Sequence, residues 1–450
     1  MYSLFLRTVI RKMLLLVLSL SVVMLWLNGA GVQIKRTPFP VSEFTLRNGL
    51  RVILSEDYSL PIVSVVIAYN VGSVHEQPGK SGLAHLLENL MFQGSRNVGQ
   101  MQHISFIQKI GGILNAVTTE NRTLFYQTVP SNQLALVLWL ESDRMNSLNI
   151  SASNVEKIKN SLIEELQIRK DTDPYLESYW YFDQLLFPGF TYSHPVLGSI
   201  SDIREITVDD VINFYSSFYT PNNAVLSIVG NINKNKVQQL VERYFSSIPR
   251  GNDLPSLNSE KLENIGNTVQ SIVSPLATYP GFYVGYQIAS PYSEDHYSLV
   301  MTEYILLKGQ TSRLYKRLIE KDRTAIYLSG GIENKADYSA FKIYMRINNE
   351  IMRERSQKAL FSEINKLKTT PIPERELEKS KNIFKVSYLR QYATILDKAI
   401  FLSEKLLKRD NLVDWPNELA RYLSVTDIDI LRAVNKYFTD DRIILDIKIK

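Results

Sequence analysis

The residues with the clearest chemical potential lie in the segment GLAHLLENLMFQGS, residues 82–95, which predicts a short helix. His85 and Asn89 are four positions apart and project from the same helix face, and Glu88 lies beside them. With an imidazole at both positions, such a face holds a metal ion while the glutamate activates the bound water. A histidine followed three residues later by a glutamate is common by chance. On these residues alone, a half-buried histidine beside a solvated glutamate is the favoured interpretation.

The chain that must position this helix has 450 residues, more than one ordinary core holds, and predicts at least two domains. Its composition, 45% hydrophobic and 22% charged, is that of a globular protein. Cysteine is absent, which excludes disulfide bonds and thiolate metal ligands. The formal charge is +5, but the first 30 residues hold three basic residues and no acidic one, which leaves +2. This balance does not support a nucleic-acid partner.

Residues 1–30 predict an export signal, because basic residues precede an apolar run at residues 13–27 and small residues follow it. Fifteen helical residues rise about 22 Å, short of a hydrocarbon core of roughly 30 Å, so a signal peptide is favoured over a spanning helix. Asn28 is a poor residue for cleavage at Ala30, and an uncleaved membrane anchor is therefore the alternative. We expect an exported protein, either periplasmic or anchored at the outer face of a bacterial inner membrane.

An internal repeat at a constant offset of 219 residues relates residues 207–232 to residues 426–449. Each copy predicts a threonine N-cap, an amphipathic helix, a polar turn and a strand rich in β-branched residues. The matching pairs are Thr207 and Thr426, Asp210 and Asp429, Val211 and Ile430, Tyr219 and Phe438, Thr220 and Thr439, and Leu226 and Leu445. The chain therefore consists of two related halves.

The linker between the halves is predicted at residues 251–268, which are rich in Pro, Asn, Ser and charged residues. This leaves a first half at residues 31–250, which carries the motif helix, and a second half at residues 269–450. Each half opens with a strand pattern and continues with long helical segments. The predicted fold class is α+β, with two homologous α/β sandwiches that face each other across a cleft.

The segment VGSVHEQPGKSGLAHLLENLMFQGS, residues 71–95, resembles the active-site segment of the pitrilysin/insulysin family of inverted zinc metallopeptidases, whose motif is His-x-x-Glu-His. Residues 111–130, 164–175 and 192–199 are similar to further segments of the family. The resemblance extends from about residue 43 to the C-terminus. It implies the LuxS/processing-peptidase-like metallopeptidase fold in each half, and similarity to bacterial relatives of the mitochondrial processing peptidases.

Carried over to the matching positions, the resemblance implies that His85 is the first zinc ligand, Glu88 the general base and Glu165 the third ligand. Glu165 lies 76 positions after residue 89, and its neighbour Glu164 is expected to be a solvated helix residue. Without the family match, a surface carboxylate would be the favoured interpretation of Glu165.

The second zinc ligand is missing. Asn89 offers a neutral amide oxygen where the family has an imidazole nitrogen. Because catalytic zinc normally has three protein ligands and a water, we expect zinc to bind weakly or not at all. Ile158 occupies a position where many family members carry another glutamate, so a hydrogen bond that would orient a ligand is also lost.

The other histidines are not expected to replace this ligand. His75 lies in the loop before the motif helix, and His103 lies about four turns beyond it. His194 matches a family position that is expected to be structural, and His296 belongs to the second half.

The second half also departs from the family pattern. Ile319 and Ile326 occupy the positions where the family often places an arginine and a tyrosine against the substrate. Tyr327 is displaced by one residue, and Arg313 and Arg317 fall elsewhere on the predicted helix. The chain therefore resembles a zinc-bearing subunit that has lost a ligand more than a subunit that supplies the Arg/Tyr pair.

The resemblance places a substrate peptide, held as an added strand, at a sheet edge near Asn115, Ala116, Val117 and Thr118. An ordinary edge strand is an equally consistent interpretation. Gly111 and Gly112 predict a turn and no phosphate-binding loop.

These observations predict a protein that acts on or binds extended peptides or unfolded proteins, with weakly bound or absent zinc as its cofactor. The alternative is a non-catalytic partner subunit or peptide-binding scaffold for an active homologue. We expect a homo-oligomer, or a heterodimer with an intact homologue.

Overall fold

The computed structural model describes residues 38–254, 265–335, 338–407 and 415–450. Residues 40–450 form one compact unit, and of the unit formed by residues 1–39 only the last two residues are described. The predicted signal or anchor segment and part of the predicted linker lie outside the described residues. Within the described ranges, no helix is both long enough and apolar enough to cross a membrane.

The strands of the first half are β1 (Ser42–Thr45), β2 (Arg51–Glu56), β3 (Ile62–Tyr69), β4 (Ile113–Thr118), β5 (Thr123–Pro130) and β6 (Ala224–Gly230). They form one mixed sheet in the order β1-β2-β6-β3-β5-β4, in which β2 and β6 run parallel. The sequence of β3, IVSVVIAY, is almost fully buried, which agrees with its run of apolar and β-branched residues. Strand β4 forms an edge of this sheet.

The helices of the first half are α1 (Leu83–Leu90), α2 (Gln102–Lys109), α3 (Leu134–Asn146), α4 (Ala152–Thr172), α5 (Leu176–Leu186), α6 (Phe190–Ser193), α7 (Ile200–Glu205), α8 (Val208–Phe218) and α9 (Lys234–Phe245). In α1 the buried residues Leu83, Leu86, Leu87 and Leu90 follow the spacing of one helix face. Burial of each leucine contributes about 2 kcal/mol, which fixes the opposite, polar face of α1 in place.

The second half contains strands β7 (Asn267–Ser274), β8 (Gly281–Ile288), β9 (Ala325–Asn334), β10 (Ser339–Ile347) and β11 (Arg442–Ile449). Its helices are α10 (Asp295–Leu306), α11 (Arg353–Thr369), α12 (Glu374–Arg390), α13 (Ile395–Leu407), α14 (Trp415–Ser424) and α15 (Asp427–Tyr437), with a π-helix at Tyr315–Lys321. The sheet order is β7-β11-β8-β10-β9, so β9 is an edge strand. Two sheets with packed helices confirm the predicted α+β fold class. The domain boundaries at residues 250 and 269 stay a prediction.

The 219-residue repeat is visible as repeated local structure. Thr207 caps α8 and Thr426 caps α15, and in both capping boxes the aspartate three residues later bonds back to the threonine. At the ends of these helices, the ring of Tyr219 lies 4.7 Å from that of Tyr69 in β3. The equivalent Phe438 ring also lies 4.7 Å from a tyrosine, Tyr286 in β8. The same helix-to-sheet packing is therefore built twice.

Each half also contributes one helix to the sheet of the other half. Helix α5 packs on β8 and β11 of the second sheet, where Phe182 stacks on Tyr283 at 4.7 Å. A Cβ at Gly285 would lie 2.6 Å from the Phe182 ring, so the absence of a side chain there permits this close approach. Helix α13 packs on β3 and β6 of the first sheet, and Lys398 forms an ion pair of 2.8 Å with Asp57.

Candidate active site

Helix α1 is held in position at its start by a carboxylate. Gly82 begins the helix with φ 92°, and its N–H donates to Glu76 at 2.9 Å. The N–H of Ala84 donates to the other oxygen of Glu76 at 2.8 Å, so two helix donors without intrahelical partners are satisfied. His194 bonds Glu76 at 2.9 Å, which supports its predicted structural role. Sequence reasoning missed Glu76, although an acidic residue shortly before a helix start is a recognisable signal.

His85 is half-buried on the polar face of α1. Burial is the main cause that lowers its pKa, while Glu165 acts in the opposite direction and Arg169 adds to the lowering. The ring is therefore neutral at ordinary pH. Its buried Nδ1 has no hydrogen-bond partner among the described residues. A zinc-bound histidine normally donates its second ring N–H to a neighbouring acceptor, so one expected support is missing.

Glu88 connects α1 to the edge strand β4. Burial raises the pKa of Glu88, and the nearby Glu165 raises it further, while the hydroxyl and the N–H of Thr118 lower it by hydrogen bonds. A half-buried carboxylate with a raised pKa is a stronger base than an exposed one, which suits general-base chemistry. Thr118, predicted as a peptide-binding residue, therefore positions Glu88.

Asn89 directs its amide group towards its own helix. Its Nδ2 donates to the carbonyl of His85 at 3.0 Å, a contact that an imidazole at this position could not make in the same way. The amide thus acts as part of the helix surface, and its oxygen is a weak neutral donor for a metal ion.

Glu165 lies on α4, which packs against α1, and one oxygen of its carboxylate is paired with Arg169. Its Oε1 accepts from Nε of Arg169 at 3.0 Å and from Nη2 at 2.8 Å. Glu164 is exposed, as predicted. Ile158, on the same helix, is buried in the core and provides no polar support.

These donors do not fit a catalytic zinc ion. His85 is the one neutral nitrogen donor, Glu165 is shared with a guanidinium, and Asn89 contributes an amide bound to the helix backbone. Among the described residues, no group of three His, Cys, Asp or Glu side chains is arranged to hold a metal ion. A stable site would need a third strong ligand.

The other first-half histidines are separate from this face. His75 packs its ring 4.9 Å from that of Phe218, and burial lowers its pKa to about 4. His103 bonds Gln127 at 3.2 Å, and its pKa is lowered to about 3, mainly by burial. His103 is buried in the core, and His75 is half-buried against Phe218.

The predicted peptide-binding residues lie on β4, next to α1. The N–H of Ala116 donates to the side-chain oxygen of Asn115 at 2.9 Å. Ile113 and Val117 expose 66% and 39% of their surface, so the edge presents apolar side chains to solvent. Among the described residues, no side chain donates to a carbonyl of this strand. The carbonyls that face away from β5 are available to another strand.

The second-half positions give no substitute for the Arg/Tyr pair. Ile326 and Tyr327 are both exposed at the start of β9. Arg313 is engaged by Glu376 through two hydrogen bonds, and Arg317 by Asp322 at 2.7 Å. The two arginines therefore stabilise the second half.

The fold and the motif helix place this protein in the class of inverted zinc metallopeptidases. A family model described as "Insulinase (Peptidase family M16)" matches residues 51–180, and one described as "Peptidase M16 inactive domain" matches residues 205–384. Together the two models match more than half of the chain. The chain belongs to the M16 peptidase family.

Individual relatives agree with this assignment. The chain is 26% identical over 428 residues to the "Zinc protease PqqE" of Helicobacter pylori, which covers 94% of this chain and 96% of the relative. A crystal structure of a protease from Helicobacter pylori has a TM-score of 0.85 at 26% identity, and covers 91% of this chain and 100% of that chain. The periplasmic protease PqqL of Escherichia coli has a similar fold, with a TM-score of 0.75 at 17% identity over 91% of this chain and 48% of that chain.

Proposed function

We propose that this protein binds extended peptides along β4 and that its metal-dependent hydrolysis is impaired. The main support is how the side chains at the three predicted ligand positions are engaged. The Asn89 amide bonds its own helix, Glu165 is paired with Arg169, and His85 is the one strong donor that is left.

Peptide binding is supported by the form of the edge strand. The edge of β4 offers carbonyl groups to an added strand, whereas the N–H groups of Ala116 and Thr118 are engaged by Asn115 and Glu88. Such backbone bonds give affinity with little sequence selection. The exposed side chains of Ile113 and Val117 would add apolar contacts with residues of the peptide. Helix α1 packs next to β4, so a peptide added along this strand would pass close to Glu88.

Slow peptide hydrolysis is the second candidate. It is favoured by the retention of Glu88, whose raised pKa and contact with Thr118 suit a general base beside the proposed peptide path. The names of the relatives, several of which are called zinc proteases, point in the same direction.

A non-catalytic role also implies an active partner. As a processing-peptidase-like subunit without a complete ligand set, the protein would pair with an intact homologue or with a second copy of itself. Purification of the tagged chain from its native cells should recover a second chain with an intact His-x-x-Glu-His motif. A fully active monomer would contradict this role.

The same proposal includes export. It rests on the basic residues and the apolar run of residues 1–30. An intact mass from the fractionated cell envelope should show either loss of this segment or its retention as an anchor. Full-length protein in the cytosolic fraction would contradict export.

Strand addition can be tested with N-methylated peptides in metal-free buffer. In an added strand, alternate N–H groups face the protein, so methylation of one alternate set should lower affinity about tenfold or more. Methylation of the other set is the matched control and should have little effect. Fluorescence anisotropy measures both. A quenched version of the same peptide, assayed separately with zinc added, reports cleavage. Equal affinity for both methylated peptides would contradict strand addition, and rapid cleavage would contradict impaired hydrolysis.

A further inference from the structure

The second half contains a cavity at the position that corresponds to the candidate site of the first half. In the first half, α1, α4 and β4 surround the candidate site. In the second half, α10, α12 and β9 surround a cavity of about 950 Å³. The correspondence is supported by a shared contact: Glu88 of α1 accepts the N–H of Thr118 in β4, and Glu303 of α10 accepts the N–H of Ile332 in β9.

The second cavity does not repeat the motif of the first half. When Glu88 is matched with Glu303, His85 matches Val300 and Asn89 matches Tyr304. Neither residue offers a nitrogen ligand for a metal ion. His296 also lines the cavity, but it lies outside the matched positions. The chemistry of this lining therefore differs from that of the candidate site in the first half.

The floor of the cavity is aromatic. Tyr304 contacts Phe384 edge-to-face with ring centroids 5.3 Å apart, and the Phe384 ring lies 4.4 Å from that of Tyr422. Phe384 and Tyr422 are buried, which fixes the floor from below. The rest of the lining is largely polar and basic, and cavities of this size are large enough for small ligands. An apolar or aromatic side chain fits this floor.

The rim carries positive charge that the described residues do not neutralise. Glu303 is the acidic residue of the lining, and Lys308 pairs with it at 2.7 Å. Lys379 donates to the carbonyl of Thr311 at 2.8 Å. Among the described residues, no carboxylate lies within ion-pair distance of Lys379 or of Arg390. The rim thus has an uncompensated charge that favours an anion.

Lys379 and Arg390 lie at opposite ends of the cavity-lining part of α12. Arg390 is exposed and lies eleven residues after Lys379, which is about 16 Å along the helix. Lys379 lies close to Thr311, at the end of the cavity where Lys308 and Glu303 meet. At this end Lys308 is committed to Glu303, and Lys379 to the carbonyl of Thr311. The guanidinium of Arg390 has no carboxylate within ion-pair distance among the described residues and can bind a carboxylate through two hydrogen bonds.

We propose that this cavity binds the C-terminal residue of a peptide, with its apolar side chain on the aromatic floor and its α-carboxylate on Arg390. This inference rests on the proposed peptide-binding function and names a second contact for the same class of ligand. A peptide that adds to β4 and one whose end occupies this cavity bind through different groups, so the two contacts can be separated.

The test uses the full chain and a fluorescein-labelled peptide that ends in phenylalanine, with either a free carboxylate or a carboxamide. The free acid should bind about tenfold more tightly than the amide, which is the effect of one charge-assisted contact. Arg390→Gln should remove this difference. Lys385→Gln, which removes an exposed cation of α12 outside the cavity lining, is the matched control and should preserve it.

A second variant tests the cavity independently of charge. Ser387 is exposed on the cavity face of α12, so Ser387→Trp should fold and partly fill the cavity. It should lower the affinity for the free acid about tenfold. Unchanged affinity would contradict binding inside the cavity.

The outcomes separate this inference from the proposed function. Equal binding of acid and amide, with dependence on the N-methylation pattern, overturns the cavity proposal and leaves strand addition in place. Dependence on Arg390 without dependence on N-methylation supports the cavity and overturns strand addition. Absence of binding by either peptide overturns both.

Discussion

The two edge strands next to the equivalent helices α1 and α10 differ in how their backbone is used. At β4, Glu88 accepts the N–H of Thr118. Among the described residues, no side chain donates a hydrogen bond to a carbonyl of this strand. At β9, Glu303 accepts the N–H of Ile332, and Lys308 donates to the carbonyl of Gly330 at 3.1 Å. The ion pair of Glu303 and Lys308 thus satisfies a donor and an acceptor that an added strand would need. Both edges therefore have a glutamate on one strand N–H. They differ at the carbonyls, which are open to another strand at β4 and closed by Lys308 at β9.

Gly330→Ala should give the largest effect, because β9 lies very close to the backbone of β10 at this residue. Gly330 has φ 143°, and an added Cβ would lie 2.2 Å from the carbonyl oxygen of Lys342. We expect a loss of about 3 kcal/mol in the free energy of unfolding by urea denaturation. Gly111→Ala, before β4, has φ 76° with open space around it and should cost about 1 kcal/mol. Equal losses would show that the close approach in β9 has no energetic role.

Lys308→Met should open the second edge at an intermediate cost. It leaves the buried Glu303 carboxylate without its cation, and we expect a loss of about 2 kcal/mol at neutral pH. Burial already raises the pKa of Glu303, and loss of Lys308 raises it further. The destabilisation should therefore fade as the pH falls through this raised pKa and the carboxyl becomes protonated. Urea unfolding at neutral and acidic pH measures this, and a loss that does not depend on pH would contradict it.

The two helix caps should respond equally. Thr207→Ala and Thr426→Ala each remove one capping box, and each should lower the free energy of unfolding by about 1 kcal/mol. The corresponding serine variants keep the hydroxyl and should lose much less. A loss confined to one half would break the equivalence of the two copies.

Glu88→Gln should have the smallest effect on stability. Its main effect should be on how the stability changes with pH. Because burial raises the pKa of Glu88 in the folded state, the folded protein binds this proton more tightly than the unfolded chain. The wild type should lose stability as the pH rises from the unfolded pKa through the folded value, and the variant should lack this decrease. Thermal unfolding across acidic pH compares the two profiles. Parallel profiles would contradict the raised pKa.

Local features of the fold could be predicted from the sequence. The capping boxes at Thr207 and Thr426 depend on residues three positions apart, and the repeat makes both visible. The edge position of β4 and the exposure of Glu164 were expected from the family resemblance, and the structure shows both. The roles of the site residues stay predictions.

Features that depend on the path of the chain could not be predicted. An amphipathic pattern shows that α5 and α13 each have an apolar face, but it does not show that each covers the sheet of the other half. The cap that Glu76 provides to α1 depends on how the preceding loop returns to the helix. The pairing of Glu165 with Arg169 was visible as a four-residue spacing, and it is the signal that sequence reasoning left unused.

The zinc content of the purified protein shows directly whether the motif helix α1 holds a metal ion. Wild type and Asn89→His are purified from metal-replete medium, and zinc per chain is measured by mass spectrometry after equilibrium dialysis. We expect well below one zinc per wild-type chain and an affinity about 100-fold higher in the variant, because an imidazole supplies the missing ligand. One firmly held zinc per wild-type chain, lost in His85→Ala, would contradict it.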